Sequence, residues 1–137
     1  MPVDITRARD DRPVLVVDDD AAVREVLRSL LESEFGIRAL LAADGQEALA
    51  RLGDEQPVLI LTDVRMPNLD GTGFVRALRS CPATRRIPVL VVAATPAPRN
   101  EAMLAGADDY LDKPFDVDRM VAKIRHYLGP TVVTPAA

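Results

Sequence analysis

The sequence predicts an α/β fold with a doubly wound parallel sheet, and three observations predict it. Short β-branched apolar runs alternate with segments of helical spacing, five times over. Parallel strands need long crossover connections, which helices supply. Three of the apolar runs also end in charge. Val14-Leu15-Val16-Val17 enters Asp18-Asp19-Asp20, Val58-Leu59-Ile60-Leu61 passes Thr62 into Asp63, and Tyr110-Leu111 passes Asp112 into Lys113-Pro114. Such runs read as buried strands, and open α/β sheets bind ligands outside the carboxyl ends of their strands.

Residues 1–12 carry Asp4, Arg7, Arg9, Asp10, Asp11 and Arg12 and read as a flexible leader. One folded unit is expected over 13–129, and 130–137 as a tail or the start of a linker. The first strand follows Pro13. Asp20 is a candidate N-cap for the next helix. Val23, Val26, Leu27, Leu30 and Leu31 fall on one helical face, and Phe35-Gly36 stops the run. A second strand is expected over 37–43. Asp44-Gly45 turns the chain into a short helix lined by Ala48, Leu49 and Leu52. The third strand is 58–62, followed by a loop over 63–70. Asp70-Gly71 opens a helix carrying Phe74, Val75 and Leu78, and the fourth strand is 87–93. Pro96 and Pro98 precede a helix of about two turns ending at Gly106. Asp108 and Asp109 fall in the turn before a fifth strand over 109–111. Val117, Met120, Val121, Ile124 and Leu128 line the last helix, which Gly129-Pro130 closes.

The 137 residues fit one domain with a real core, and 48% hydrophobic content is too high for a disordered chain. A net charge of −4 argues against direct nucleic-acid binding. A single cysteine, Cys81, excludes a disulfide framework and a cysteine metal site. The lone His126 sits on an amphipathic helix and reads as a surface residue. No apolar run approaches the ~20 residues that span a bilayer, and the first residues lack the apolar region of a signal peptide. A cytoplasmic protein is expected. Of seventeen basic residues only Lys113 and Lys123 are lysines, which draws attention to the Lys-Pro turn. Three or four carboxylates and one ammonium at neighbouring strand ends suit a hard divalent cation and a phosphoryl group.

Three motifs carry a resemblance to a known family. They are Leu-Val-Val-Asp-Asp at 15–19, Thr-Asp-Val-Arg-Met-Pro-Asn-Leu-Asp-Gly at 62–71, and Gly-Ala-Asp-Asp-Tyr-Leu-Asp-Lys-Pro-Phe at 106–115. In this order and spacing the chain resembles a response-regulator receiver domain of bacterial two-component signalling, chemotaxis-regulator-like, over roughly residues 13–129. The resemblance implies a flavodoxin-like sheet in the order 2-1-3-4-5 with five helices. It implies that Asp63 accepts a phosphoryl group from a histidine kinase or phosphotransfer protein. Asp18 and Asp19, with Asp63 and the backbone carbonyl of Arg65, would hold Mg²⁺, which takes octahedral oxygen ligands. Lys113 would pair with Asp63 and then with phosphate, and Pro114 matches the family's cis proline. Tyr110 matches the aromatic that turns inward on activation.

The sequence departs from the family at the end of strand four. The family carries Ser or Thr there, whose hydroxyl bonds the phosphoryl group; this chain has Ala93, with Ala94 next. Thr95, two residues on, is the candidate substitute. The stretch from Ala93 to Lys113 is also about two residues shorter than is usual in the family. The resemblance implies that Arg65 occupies a position where the family varies and tunes dephosphorylation. Two functional readings follow. In one, the domain is a phosphorylation-driven switch, a phosphoacceptor rather than a turnover enzyme, that changes an interaction face around Tyr110. In the other, it is an atypical, phosphorylation-independent interaction module, because Ala93 lacks the hydroxyl. A third, a magnesium phosphatase of the haloacid-dehalogenase kind, fits poorly because Ala21-Ala22 follow the acidic run. Output is expected from a partner protein or an output domain outside this chain, and a homodimer through helix four, strand five and helix five stays open.

Overall fold

The structure is a computed structural model and describes residues 11–94 and 99–129. The leader over residues 1–10, Thr95, Pro96, Pro98 and the tail from 130 lie outside the described residues. Among the described residues ten elements alternate strictly: β1 (Val14–Val17), α1 (Ala21–Phe35), β2 (Ala39–Ala42), α2 (Gly45–Asp54), β3 (Leu59–Thr62), α3 (Gly71–Ser80), β4 (Val89–Ala94), α4 (Arg99–Ala105), β5 (Asp109–Lys113) and α5 (Val117–Leu128). The five strands form one parallel sheet in the order β2-β1-β3-β4-β5.

The two-residue period of the strands divides the core. Val14, Val16, Leu59, Leu61, Leu90, Val92 and Leu111 face one side, where Leu27, Leu31 and Phe35 of α1 and Met120, Ile124 and Leu128 of α5 cover them. Leu15, Val17, Ile60, Val91 and Tyr110 face the other side, against α2, α3 and α4. Both faces are therefore apolar, which is why β1 and β3 read as unbroken apolar runs.

Side chains cap the helices as the sequence suggests. Asp20 accepts from the Ala22 amide at 2.8 Å, Asp44 from the Glu47 amide at 2.8 Å and Asp70 from the Gly73 amide at 2.8 Å. Gly36, at φ 62°, lets the amides of Gly36 and Ile37 close α1 on the carbonyls of Glu32 and Leu31. This use of Ile37 delays β2 to Ala39, two residues later than the apolar pattern suggests. Ile87 is likewise taken by a turn, its amide on the Thr84 carbonyl, so β4 starts at Val89. β5 runs on to Lys113 rather than ending at Leu111, because Asp112 and Lys113 pair with Ala93 and Ala94. Asp109 opens this strand as its expected bounds have it, and Asp108 alone lies in the turn before it.

Three residues assigned to the buried helical faces are exposed: Val26 and Val117 at 51% each and Leu49 at 37%. Val26 and Val117 line an open apolar hollow between α1 and the turn before α5, with Val23, Pro114 and Phe115. Helical period alone does not separate such a rim from the core.

Candidate functional site

The register of three strands assembles the site. Val17 and Thr62 are partners, and the Asp63 amide donates to the Val17 carbonyl at 2.9 Å. Asp18 and Asp63 therefore leave the sheet side by side. Asp18 is 2% exposed and Asp63 9%. Lys113 comes from β5, two strands away from β3. By register it stands past the level of Asp63, and it reaches back across the end of β4, where only the small Ala93 and Ala94 stand. Its Nζ donates to Asp18 Oδ2 at 2.6 Å and to Asp63 Oδ2 at 3.0 Å. The Lys113–Pro114 peptide bond is cis.

Asp63 is held at both oxygens. The Val64 amide donates to Oδ1 at 2.7 Å, which leaves Oδ2 on the lysine side. Thr62 Oγ1 donates to the Asp63 carbonyl at 2.9 Å. That carbonyl lies against Gly71, where a Cβ would collide with it and would lie 2.8 Å from the Val64 Cα. Glycine is required there because backbone approaches backbone.

One carboxylate oxygen from each of Asp18, Asp19 and Asp63 falls within 4.8 Å of the others. The donors are all hard oxygens, Asp19 is open to solvent, and the set fits a small divalent cation that keeps part of its water shell. Burial pushes the Asp18 carboxyl above its usual range, against the opposing hydrogen bonds from Lys113 and the Asp20 amide. Burial alone would lower Lys113, but its bonds to Asp18 and Asp63 outweigh that, so its pKa is raised. An ammonium held firmly protonated beside the buried Asp18 carboxyl is a stable charged anchor for an incoming anion.

The other residues singled out by the sequence are spread more widely. Arg65 is exposed in the loop after β3. Ala93 is 1% exposed and closes the end of β4, and Ala94 is exposed. Tyr110 is 6% exposed, packed in the same apolar cluster as Ala93, with the Arg99 guanidinium over its ring. Burial raises its phenol pKa, with the Asp112 charge adding to the effect. Cys81 is an exposed thiol after α3, and His126 is exposed on α5.

Two arginines that sequence reasoning passes over bind backbone carbonyls, Arg24 beside the site and Arg79 at the opposite edge of the sheet. Arg24 donates from Nη1 to the Asp18 carbonyl at 2.7 Å. Arg79 binds the carbonyls of Gly106, Arg85 and Ile87 and the Asp108 carboxylate. Asp108 in turn accepts from the Val89 amide at 2.7 Å, so one network ties α3 to the start of β4 and the entry to β5. Nothing in the sequence pattern distinguishes either arginine from a solvated one.

The sheet order is that of a receiver-type signalling fold, and the comparison with known families agrees. Residues 14–125 match the model of the response regulator receiver domain, and the chain belongs to that family, the receivers of two-component response regulators. Among curated relatives it is similar to response regulator MprA of Mycolicibacterium vanbaalenii, 44% identical over 118 residues, 86% of this chain and 51% of the relative. The chain thus spans about half the length of the curated relatives it matches. A solved receiver domain of a histidine kinase from Syntrophus aciditrophicus superposes with a TM-score of 0.80 at 30% identity, covering 92% of this chain and 96% of that one. A receiver domain of a sensor histidine kinase from Pseudomonas aeruginosa, solved with magnesium coordinated in its active-site cleft, matches with a TM-score of 0.79 at 31% identity over 86% of this chain and 98% of that one. Among the described residues no helix is long and apolar enough to cross a membrane.

Proposed function

We propose that Asp63 accepts a phosphoryl group from a histidine kinase or phosphotransfer protein, with Mg²⁺ held by Asp18, Asp19, Asp63 and the Arg65 carbonyl. The observation that carries this reading is the Lys113 bridge to Asp18 and Asp63 at 2.6 and 3.0 Å, beside a third carboxylate. The Val64 amide orients the Asp63 carboxylate through Oδ1, and Oδ2 attacks phosphorus. An O–P bond forms on Asp63 as the N–P bond of the donor phosphohistidine breaks, and the imidazole leaves with its electron pair and takes up a proton. Lys113 moves its hydrogen bond from the carboxylate to a phosphoryl oxygen. Bound Mg²⁺ offsets the repulsion between the anionic nucleophile and the anionic donor. The face of α4, β5 and α5 around Tyr110 is the surface that an output partner, an output domain or a second copy reads.

A second reading is supported by one observation. Tyr110 lies inward in the same apolar cluster as Ala93, a residue with no hydroxyl for the phosphoryl group to draw in. In that reading the face around Tyr110 is presented without phosphorylation. Adding beryllium fluoride with Mg²⁺, an analogue of the acyl phosphate, separates the two. Saturation at about a hundred times Kd stabilises the first by about 2.7 kcal/mol, and Asp63→Asn abolishes the effect. An unchanged melting temperature in the parent supports the second.

A further inference from the structure

The loop that carries Asp18 and Asp19 is cinched from inside its own helix. Arg24, in the second turn of α1, folds back over the loop, and its Nη1 donates to the Asp18 carbonyl at 2.7 Å. The Asp18 amide donates to the Ala42 carbonyl at 3.0 Å, and the Asp20 amide donates to Asp18 Oδ1 at 2.9 Å. The peptides on either side of the Asp18–Asp19 plane are therefore held, and Arg24 holds the plane itself. Asp19 differs from its neighbour. Among the described residues no hydrogen bond or ion pair holds its carboxylate, although one of its oxygens lies within 4.8 Å of those of Asp18 and Asp63. Its direction is inherited from the peptide plane before it, and the Asp18 carbonyl is one edge of that plane.

We propose that Arg24 is the positioning residue of the acidic pair. Through the Asp18 carbonyl it sets the peptide that aims Asp19 at Asp63, and so it sets the affinity of the three carboxylates for a divalent cation. The inference rests on the reading that these three carboxylates hold Mg²⁺. Two effects of the guanidinium oppose each other. Its charge repels a cation, and its hydrogen bond preorganises the ligands. Arg24 is partly exposed and bonded to a carbonyl rather than facing the carboxylates, so solvent and salt screen the repulsion. Removing an outer partner of a metal ligand weakens metal binding by about 10–100-fold, and the lower end applies because Arg24 reaches the backbone and not the carboxylate.

The test is a calorimetric titration of Mg²⁺ into the full chain, for the parent, Arg24→Ala, Arg24→Lys and Asp19→Asn, with urea midpoints measured alongside. Arg24→Ala is expected to weaken Mg²⁺ binding about tenfold, and Arg24→Lys, which keeps a donor within reach of the carbonyl, to recover part of the loss. Should Arg24→Ala not fold, Arg24→Met keeps the aliphatic stem and makes the same comparison. A purely structural arginine would lower the urea midpoint and leave the Mg²⁺ affinity of the folded protein unchanged, which would overturn the proposal. Tighter binding in Arg24→Ala would overturn it too, by showing that repulsion dominates. A folded parent that binds no Mg²⁺ removes the three-carboxylate reading itself, and that outcome is distinct from a parent that binds while Arg24→Ala binds equally well.

Discussion

The Arg99 guanidinium lies 5.2 Å from the centroid of the Tyr110 ring, so the first residue of α4 covers an aromatic of β5. Tyr110 shares its apolar cluster with Ala93, which is 1% exposed. Tyr110 is 6% exposed, held inward with the cation over its ring.

Ala93→Thr tests this packing. Two added heavy atoms enter a filled position, and overpacking of that kind costs about 1–3 kcal/mol in urea denaturation. The chain has two tyrosines and no tryptophan, so in a Tyr127→Phe background the intrinsic fluorescence reports on Tyr110 alone. Acrylamide quenching is expected to rise in Ala93→Thr and, with a loss of about 0.5–1 kcal/mol, in Arg99→Ala. Unchanged quenching in both variants would contradict the packing.

Gly71→Ala is expected to damage the site from behind. The new Cβ meets the Asp63 carbonyl and the Val64 Cα, both backbone atoms that cannot swing away. A cost of about 1–3 kcal/mol is expected, with slower modification of Asp63 even in protein that remains folded. Parent-like stability and labelling in this variant would show that the loop has slack.

Much of this arrangement is visible in the amino-acid pattern, for identifiable reasons. Strands buried on both faces announce themselves as apolar runs, and a strand end that turns into Asp-Asp or Lys-Pro marks the edge where the sheet opens. Asp18, Asp19, Asp63 and Lys113 are legible because each lies within two residues of the end of such a run, and parallel register then brings them together. The starts of β2 and β4 are less legible, because Ile37 and Ile87 are apolar but serve the turns before the strands. Arg24 and Arg79 are not legible at all. Their partners are backbone carbonyls, which carry no sequence signature, and one partner of Arg79, the Gly106 carbonyl, lies 27 residues away. The cover over Tyr110 comes from Arg99 of α4, a tertiary contact that no periodicity encodes.

Arg79→Ala should be among the more destabilising surface-proximal changes. It strips donors from three backbone carbonyls and from Asp108. Unsatisfied buried acceptors cost about 1–3 kcal/mol each where water does not replace the donor, and with 21% of the side chain exposed some replacement occurs. A loss of about 2–3 kcal/mol by urea denaturation is expected. Arg79→Lys should recover less than half, because an ammonium lacks the planar fork. Full recovery by lysine would show that charge alone matters.

Alkaline titration follows from the two tyrosines. Burial, then the Asp109 charge and the hydrogen bond to it, pushes Tyr127 up to about 12. Tyr110 is raised as well, chiefly by burial. The folded protein thus keeps protons that the unfolded chain releases near pH ~10. This contribution to stability is complete below pH ~10 and is lost as the pH rises through the folded value of about 12. Phenolate absorbance should therefore stay low at pH ~10 and rise as the pH approaches the folded value of Tyr127, about 12. Ionisation of Tyr127 near pH ~10 in folded protein, read in a Tyr110→Phe background, would contradict the Tyr127–Asp109 bond.

The most direct measurement is intact mass after incubation with acetyl phosphate and Mg²⁺, for the parent and Asp63→Asn. One phosphoryl group per chain is predicted, absent in Asp63→Asn and absent when the metal is chelated. An unmodified parent in the presence of Mg²⁺, or an adduct that persists in Asp63→Asn, would contradict the assignment of Asp63 as the phosphoacceptor.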